Sequence, residues 1–174
     1  MKKILLLLAV VGVMFTACSE KGADDDINNG GEPSAKDNKI YYTTFDGKKL
    51  FPNNTEPAIF GAILVSNTYE DGQGVLTFDD TITSIGDYAF QNCTSLTSVT
   101  IPDSVTSIGN YAFGYCPSLT NVYCKPTAPP SGEPSMFAYN VSGRKIYVPR
   151  DSVEAYKSAA YWGNYCEDIE GYDF

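Results

Sequence analysis

Ser84-Ile85-Gly86-Asp87-Tyr88-Ala89-Phe90 returns as Ser107-Ile108-Gly109-Asn110-Tyr111-Ala112-Phe113, 23 positions later. The same offset carries Cys93 to Cys116, Leu96 to Leu119 and Val99 to Val122. A fixed period of this size is the mark of a solenoid: one supersecondary unit cannot bury its apolar face alone and stacks on copies of itself. Architectures of this kind mostly present surfaces to partners.

Within one unit, Leu96-Thr97-Ser98-Val99-Thr100-Ile101-Pro102 alternates apolar and polar side chains, which predicts a short strand with Leu96, Val99 and Ile101 facing inward. Pro102 cannot donate to a ladder and ends the strand. Val105 to Gly109 forms a shorter extended piece, and Tyr111-Ala112-Phe113 makes a helical turn whose Phe113 plugs the core, as Phe90 does one coil earlier. Degenerate copies extend the array: Val75 to Asp79 aligns with Ser98 to Pro102, and Ile146 to Pro149 aligns with Val99 to Pro102 after a one-residue insertion. The expectation is a β-rich repeat solenoid of about four rungs, with short parallel strands and helical turns.

Before the repeats, Ile40 to Phe45 and Lys48 to Phe51 flank Asp46-Gly47, a two-residue hairpin signal. Pro52 to Asn54 and the apolar run Ile59 to Val65 then lead into the first rung. After the repeats, Asp151 or Ser152 is placed to cap a helix from about Val153 to Ala160, and Asp151 with Glu154 forms a capping-box pattern. Hairpin and helix serve as the terminal caps a solenoid needs. The resulting division is an N-terminal cap over 39–74, repeats over 75–149 and a C-terminal cap over 150–174.

The first residues read as an address. Lys2 and Lys3 precede an apolar run of 12 residues, Ile4 to Phe15, short of the roughly 18–20 a membrane-spanning helix needs. Phe15-Thr16-Ala17-Cys18 resembles a lipobox, making 1–17 a lipoprotein signal peptide and Cys18 the lipidated residue; an ordinary cleaved signal peptide is the alternative. Residues 18–38 carry almost no apolar side chains and are expected to be an acidic tether. Asp24-Asp25-Asp26 resembles an acidic signal for outward display as much as a solvated stretch of tether. The expected location is the outer membrane, lipid-anchored and facing outward.

Charge narrows the partners. The chain carries net −9; removing 1–17 takes two of its 12 basic residues and leaves 10 against 21 acids, net −11. Nucleic acid, which needs a basic footprint, is excluded, and contact with a membrane is expected only through the lipid. The absence of histidine removes Ser-His-Asp and Cys-His catalysis, and none of the five cysteines sits in a Cys-x-x-Cys pair. No phosphate-binding glycine loop occurs, so no cofactor is expected. Carboxylate-only chemistry is compatible with the residue types, but the acids are scattered through turn positions and read as a solvated surface.

The motif Ser-Ile-Gly-x-Tyr-Ala-Phe-x-x-Cys-x-Ser-Leu-Thr-x-Val, at Ser84–Val99 and Ser107–Val122, resembles the BspA-like (type 5) leucine-rich repeat. The stretch from Ile146-Tyr147-Val148-Pro149 through Val153-Glu154-Ala155-Tyr156 to Trp162 is similar to that family's closing segment. The resemblance implies a surface or secreted binding protein without catalysis, whose ligand is a host or bacterial surface protein; a glycan is the alternative. It carries across no defined binding residues.

Outward positions of the aligned strands form the candidate face. Thr77, Thr100, Tyr123 and Tyr147 fall in one column, with Val75, Ser98, Asn121 and Lys145 in the next. The loop Lys125 to Ser135 is the fallback. Cys93 and Cys116, at equivalent points of neighbouring coils with parallel side-chain directions, are expected to be buried free thiols; a bridge between Cys124 and Cys166 is left open.

Overall fold

The computed structural model describes residues 37–174. The lipidation reading at Cys18, the signal peptide and almost all of the tether lie outside the described residues.

The strands are β1 (Lys39–Thr44), β2 (Leu64–Glu70), β3 (Gln73–Phe78), β4 (Ser84–Ile85), β5 (Leu96–Ile101), β6 (Ser107–Ile108), β7 (Asn121–Cys124), β8 (Lys145–Pro149) and β9 (Ile169–Tyr172). Two short helices, α1 (Pro57–Phe60) and α2 (Val153–Ser158), complete the regular elements with two 3-10 turns. The large sheet has the order β2-β3-β1-β5-β7-β8-β9 and is mixed. β5, β7, β8 and β9 pair in parallel, whereas β2, β3, β1 and β5 pair antiparallel. β4 and β6 form a second, parallel ribbon, joined by a bridge from Ser107 to Ser131.

The repeat period is visible as three stacked ladders. Val99, Val122, Ile146 and Ile169 follow one another across the parallel strands, and all are buried. On the turn side, Phe90 N–H donates to Ala112 O (2.7 Å) and Phe113 N–H to Met136 O (2.9 Å). Each turn's backbone is thereby satisfied by the next coil, which removes the penalty an irregular backbone would otherwise carry inside the protein. Between the two runs a column of rings. Phe90 stacks on Phe113 (5.1 Å, 2°), Phe113 on Phe137 (5.4 Å, 10°), and Phe137 meets Trp162 at 6.1 Å.

The strand reading holds in detail: Leu96, Val99 and Ile101 are buried, and Ser98 and Thr100 half-buried on the other face. The four parallel rungs differ from those expected, however. β3 is not next to β5, because β1 lies between them and runs antiparallel to both. At the other end β9 adds a rung that the sequence reading assigned to a cap.

The Asp46-Gly47 hairpin is corrected by the same insertion. Both edges of β1 are occupied, so no edge remains for 48–51, which forms no strand. That segment is held instead by Thr44 Oγ1 donating to Lys48 O (2.9 Å) and Leu50 N–H donating to Tyr42 Oη (3.1 Å). The N-terminal hairpin is β2–β3, turned by Asp71 and Gly72 at φ 50° and 82°. Two successive positive φ values match the twist of a two-residue hairpin loop. The run Ile59 to Val65 divides between α1 and β2, with Gly61 (φ 75°) ending the helix. The expected capping box does not form: Asp151 and Ser152 lie in a 3-10 turn, and α2 starts without a side-chain cap.

Cys93, Cys116 and Cys124 are buried free thiols, and Cys166 is exposed and free, so the Cys124–Cys166 bridge is absent. Burial pushes Cys93 up to about 12 and Cys116 to about 11. Cys116 Sγ donates into the coil spacing towards Phe90 O (3.1 Å).

Candidate functional site

The outward face of the large sheet carries the residues read from the sequence, in a rearranged order. Parallel pairing sets Thr100, Tyr123 and Tyr147 side by side, and Ser98, Asn121 and Lys145 in the adjacent row. The inserted β1 contributes Tyr41 opposite Thr100 and Thr43 opposite Ser98. β3 then enters with its register reversed: Val75 faces Tyr41, and Thr77 faces Lys39. Val75 therefore joins the Thr100 row, and Thr77 leaves it. The Thr100 row ends beyond Tyr147 at Glu170, which pairs with Lys145.

The rows differ in chemistry. Thr43 Oγ1 lies 2.6 Å from both Thr97 Oγ1 and Ser98 Oγ, a hydroxyl cluster that ties β1 to β5. Across β7 to β9 the surface is aromatic. Tyr123 stacks on Tyr147 (5.1 Å, 18°). Tyr172 stands at 72° to Tyr123 and 59° to Tyr147, with centroids 5.6 and 5.5 Å away, and Phe174 packs on Tyr172 at 5.0 Å. Desolvation, with the neighbouring phenols of Tyr147 and Tyr172, raises the Tyr123 hydroxyl above its ordinary range. Tyr172 was missed in the sequence, although Ile169 lies 23 positions beyond Ile146 and repeats the rung spacing.

Beside this cluster, Thr100, Tyr123, Lys125, Tyr172, Asp173 and Phe174 line an open groove of about 340 Å³. Lys125 is half-buried and has no ion pair among the described residues. Asp173 is engaged by Arg150 through two bonds of 2.9 and 2.8 Å, and the hydrogen bonding holds its carboxyl below the usual range.

The fallback loop is pinned from below. Tyr156 Oη donates to Pro126 O (2.7 Å), Trp162 Nε1 to Pro130 O (2.7 Å) and Tyr165 Oη to Pro134 O (2.9 Å). Prolines offer only carbonyls, and three aromatic donors of the C-terminal segment meet them. Among the described residues no group of three or more His, Cys, Asp or Glu side chains is placed to hold a metal ion.

A family model described as the BspA type leucine rich repeat region matches residues 71–172, in six copies. Comparison with curated proteins found no match.

Proposed function

The chain belongs to the BspA type leucine-rich repeat family, and on that premise we propose that it is a lipid-anchored surface protein whose repeat domain binds a protein ligand through the outward face of the large sheet. Leucine-rich repeat domains of this type act in protein–protein binding rather than catalysis. The observation that carries the reading is the cluster of Tyr123, Tyr147 and Tyr172 across three consecutive parallel rungs, with Tyr172 42 % exposed. Tyrosine brings large amphipathic contact area with few rotors to immobilise, which is why it concentrates at binding hot spots. In this reading β1–β3 and the segment after β8 close the two ends of the stack, and Cys18 carries the lipid. Among the described residues no helix is long and apolar enough to cross a membrane.

The test is Tyr123→Ala with Tyr147→Ala, assayed against a panel of extracellular-matrix proteins and a glycan array. Loss of a protein ligand in the folded double variant supports the assignment; retained binding moves the site. The glycan reading is favoured by one feature, the groove in which Tyr172 meets Thr100, Lys125 and Asp173, and a hit on the array alone would select it. Fatty-acid labelling that persists in Cys18→Ala would refute the anchor.

A further inference from the structure

A second aromatic surface lies on the turn side of the coils, away from the residues assigned above. Tyr88 stacks on Tyr111 (5.9 Å, 8°), Tyr111 on Tyr139 (6.5 Å, 1°), and Tyr115 lies against Tyr139 (4.5 Å, 18°). Tyr88, Tyr115 and Tyr139 are 45, 41 and 66 % exposed. All four hold a positive φ, 59°, 50°, 57° and 60° in chain order. A bulky L-residue is disfavoured in that region, where Gly, Asn or Asp is tolerated.

The turn does not need the rings. Asn92, the first-coil equivalent of Tyr115, takes the same conformation at φ 59°. Its N–H donates to Gly114 O (3.0 Å) just as Tyr115 N–H donates to Ala138 O (2.9 Å). Tyr115, and Tyr139 stacked on it, thus occupy strained, solvent-facing positions in a column where the first coil manages with asparagine. Strain retained at exposed side chains points to a surface kept for contact rather than for folding.

Charge says what the contact is. The protein carries net −9, and one acid stands at the ladder itself: Asp87 adjoins Tyr88, and its Oδ1 accepts from the N–H of Asn110 (2.7 Å), the residue before Tyr111. An electron-rich ladder with a carboxylate beside it complements a cation, and a planar guanidinium continues a stack of near-parallel rings where an ammonium cannot. The chain already uses this contact internally: Arg144 Cζ sits 5.2 Å from the Phe137 centroid and 5.3 Å from that of Tyr165.

We propose that the tyrosine ladder of Tyr88, Tyr111, Tyr115 and Tyr139 is a second binding surface, whose ligand is an arginine-rich extended segment of a partner protein. This site stands independently of the sheet face. The experiment compares hexa-arginine, hexalysine and hexaglutamate peptides binding to the full chain at ~0.15 M salt, where exposed charges are screened beyond ~8 Å. Hexa-arginine should bind at least ~10-fold tighter than hexalysine, a preference that net charge alone does not create. Tyr115→Asn with Tyr139→Asn should abolish that preference while leaving the thermal midpoint unchanged or higher. The Tyr123→Ala and Tyr147→Ala variant should keep it. Absent hexa-arginine binding, equal affinity for the two cationic peptides, a preference that survives the asparagine changes, or a lowered midpoint in that variant would each overturn the proposal.

Discussion

Replacing Phe113 by alanine should remove at least about a third of the repeat domain's stability. The ring is fully buried and is the centre of the column, with Phe90 on one face at 5.1 Å and Phe137 on the other at 5.4 Å. Phe→Ala in a packed core costs about 3–5 kcal/mol, through lost transfer energy and the cavity left behind. Two stacked neighbours place Phe113 at the upper end, since each aromatic pair contributes about 0.5–1.5 kcal/mol beyond its buried area. Collapse cannot repair the cavity easily, because the turns on both sides are hydrogen-bonded to their neighbours and hold their spacing. Set against a total of roughly 5–15 kcal/mol for a domain, a loss of about 5 kcal/mol is from about a third of the stability to all of it. Urea titration followed by circular dichroism measures it, with Phe45→Ala as the control. Phe45 is 69 % exposed, and its removal should shift stability by less than about 0.5 kcal/mol. Coincident midpoints for the two variants would refute the account of the ring column as the core of the stack.

Leu96→Ala and Leu119→Ala each delete a fully buried side chain and should cost about 2–5 kcal/mol, whereas Ser98→Ala should remain within about 0.5 kcal/mol; chemical denaturation ranks the three. Alkylation of the native protein should modify Cys166 and spare Cys93, Cys116 and Cys124, which become reactive only in denaturant, as mass spectrometry would count. Alkali should destabilise the fold. Burial holds the folded thiols of Cys93, Cys116 and Cys124 at about 12, 11 and 12, above their ordinary 9.0. Raised folded values mean the stabilisation is complete below the unfolded value and is lost as pH climbs from about 9 towards about 12. Urea midpoints across that range should fall, and Cys124→Ala should flatten the slope; a parallel slope in that variant would remove Cys124 from the explanation.

The repeat was readable because its signals are local. Alternation in Leu96–Ile101, the proline after it and the plug phenylalanine each specify a conformation within a few residues, and copying them fixes how neighbours stack. What escaped was set by long-range pairing. Nothing in Ile40–Phe45 says that it will lie between β3 and β5, whose residues are some thirty to sixty positions away. Asp46-Gly47 and Asp71-Gly72 are equally good turn dipeptides; the second became the hairpin because β3 keeps a free edge for β2, while β1 has none. The candidate face shows the same division. Rows joined by parallel pairing, such as Ser98, Asn121 and Lys145, followed from the period with a single one-residue insertion before the last rung. Thr77 and Val75 did not, since an antiparallel insertion reverses which residues meet.

The position of β1 also decides how the domain bears mechanical load. Lys39 opens β1 directly after the N-terminal segment, and that strand is hydrogen-bonded along one side to β3 and along the other to β5. A pull along the strand from Lys39 acts on both ladders in shear, so their bonds share the force and must yield together. An edge strand such as β2, pulled away from the sheet, would instead open one bond at a time. The hydroxyl contacts from Thr43 to Thr97 and Ser98 add side-chain friction where the strand leaves the sheet. Force entering through the N-terminus therefore meets the sheet where it is clamped on both sides, and the parallel rungs that carry Tyr123, Tyr147 and Tyr172 lie beyond that clamp.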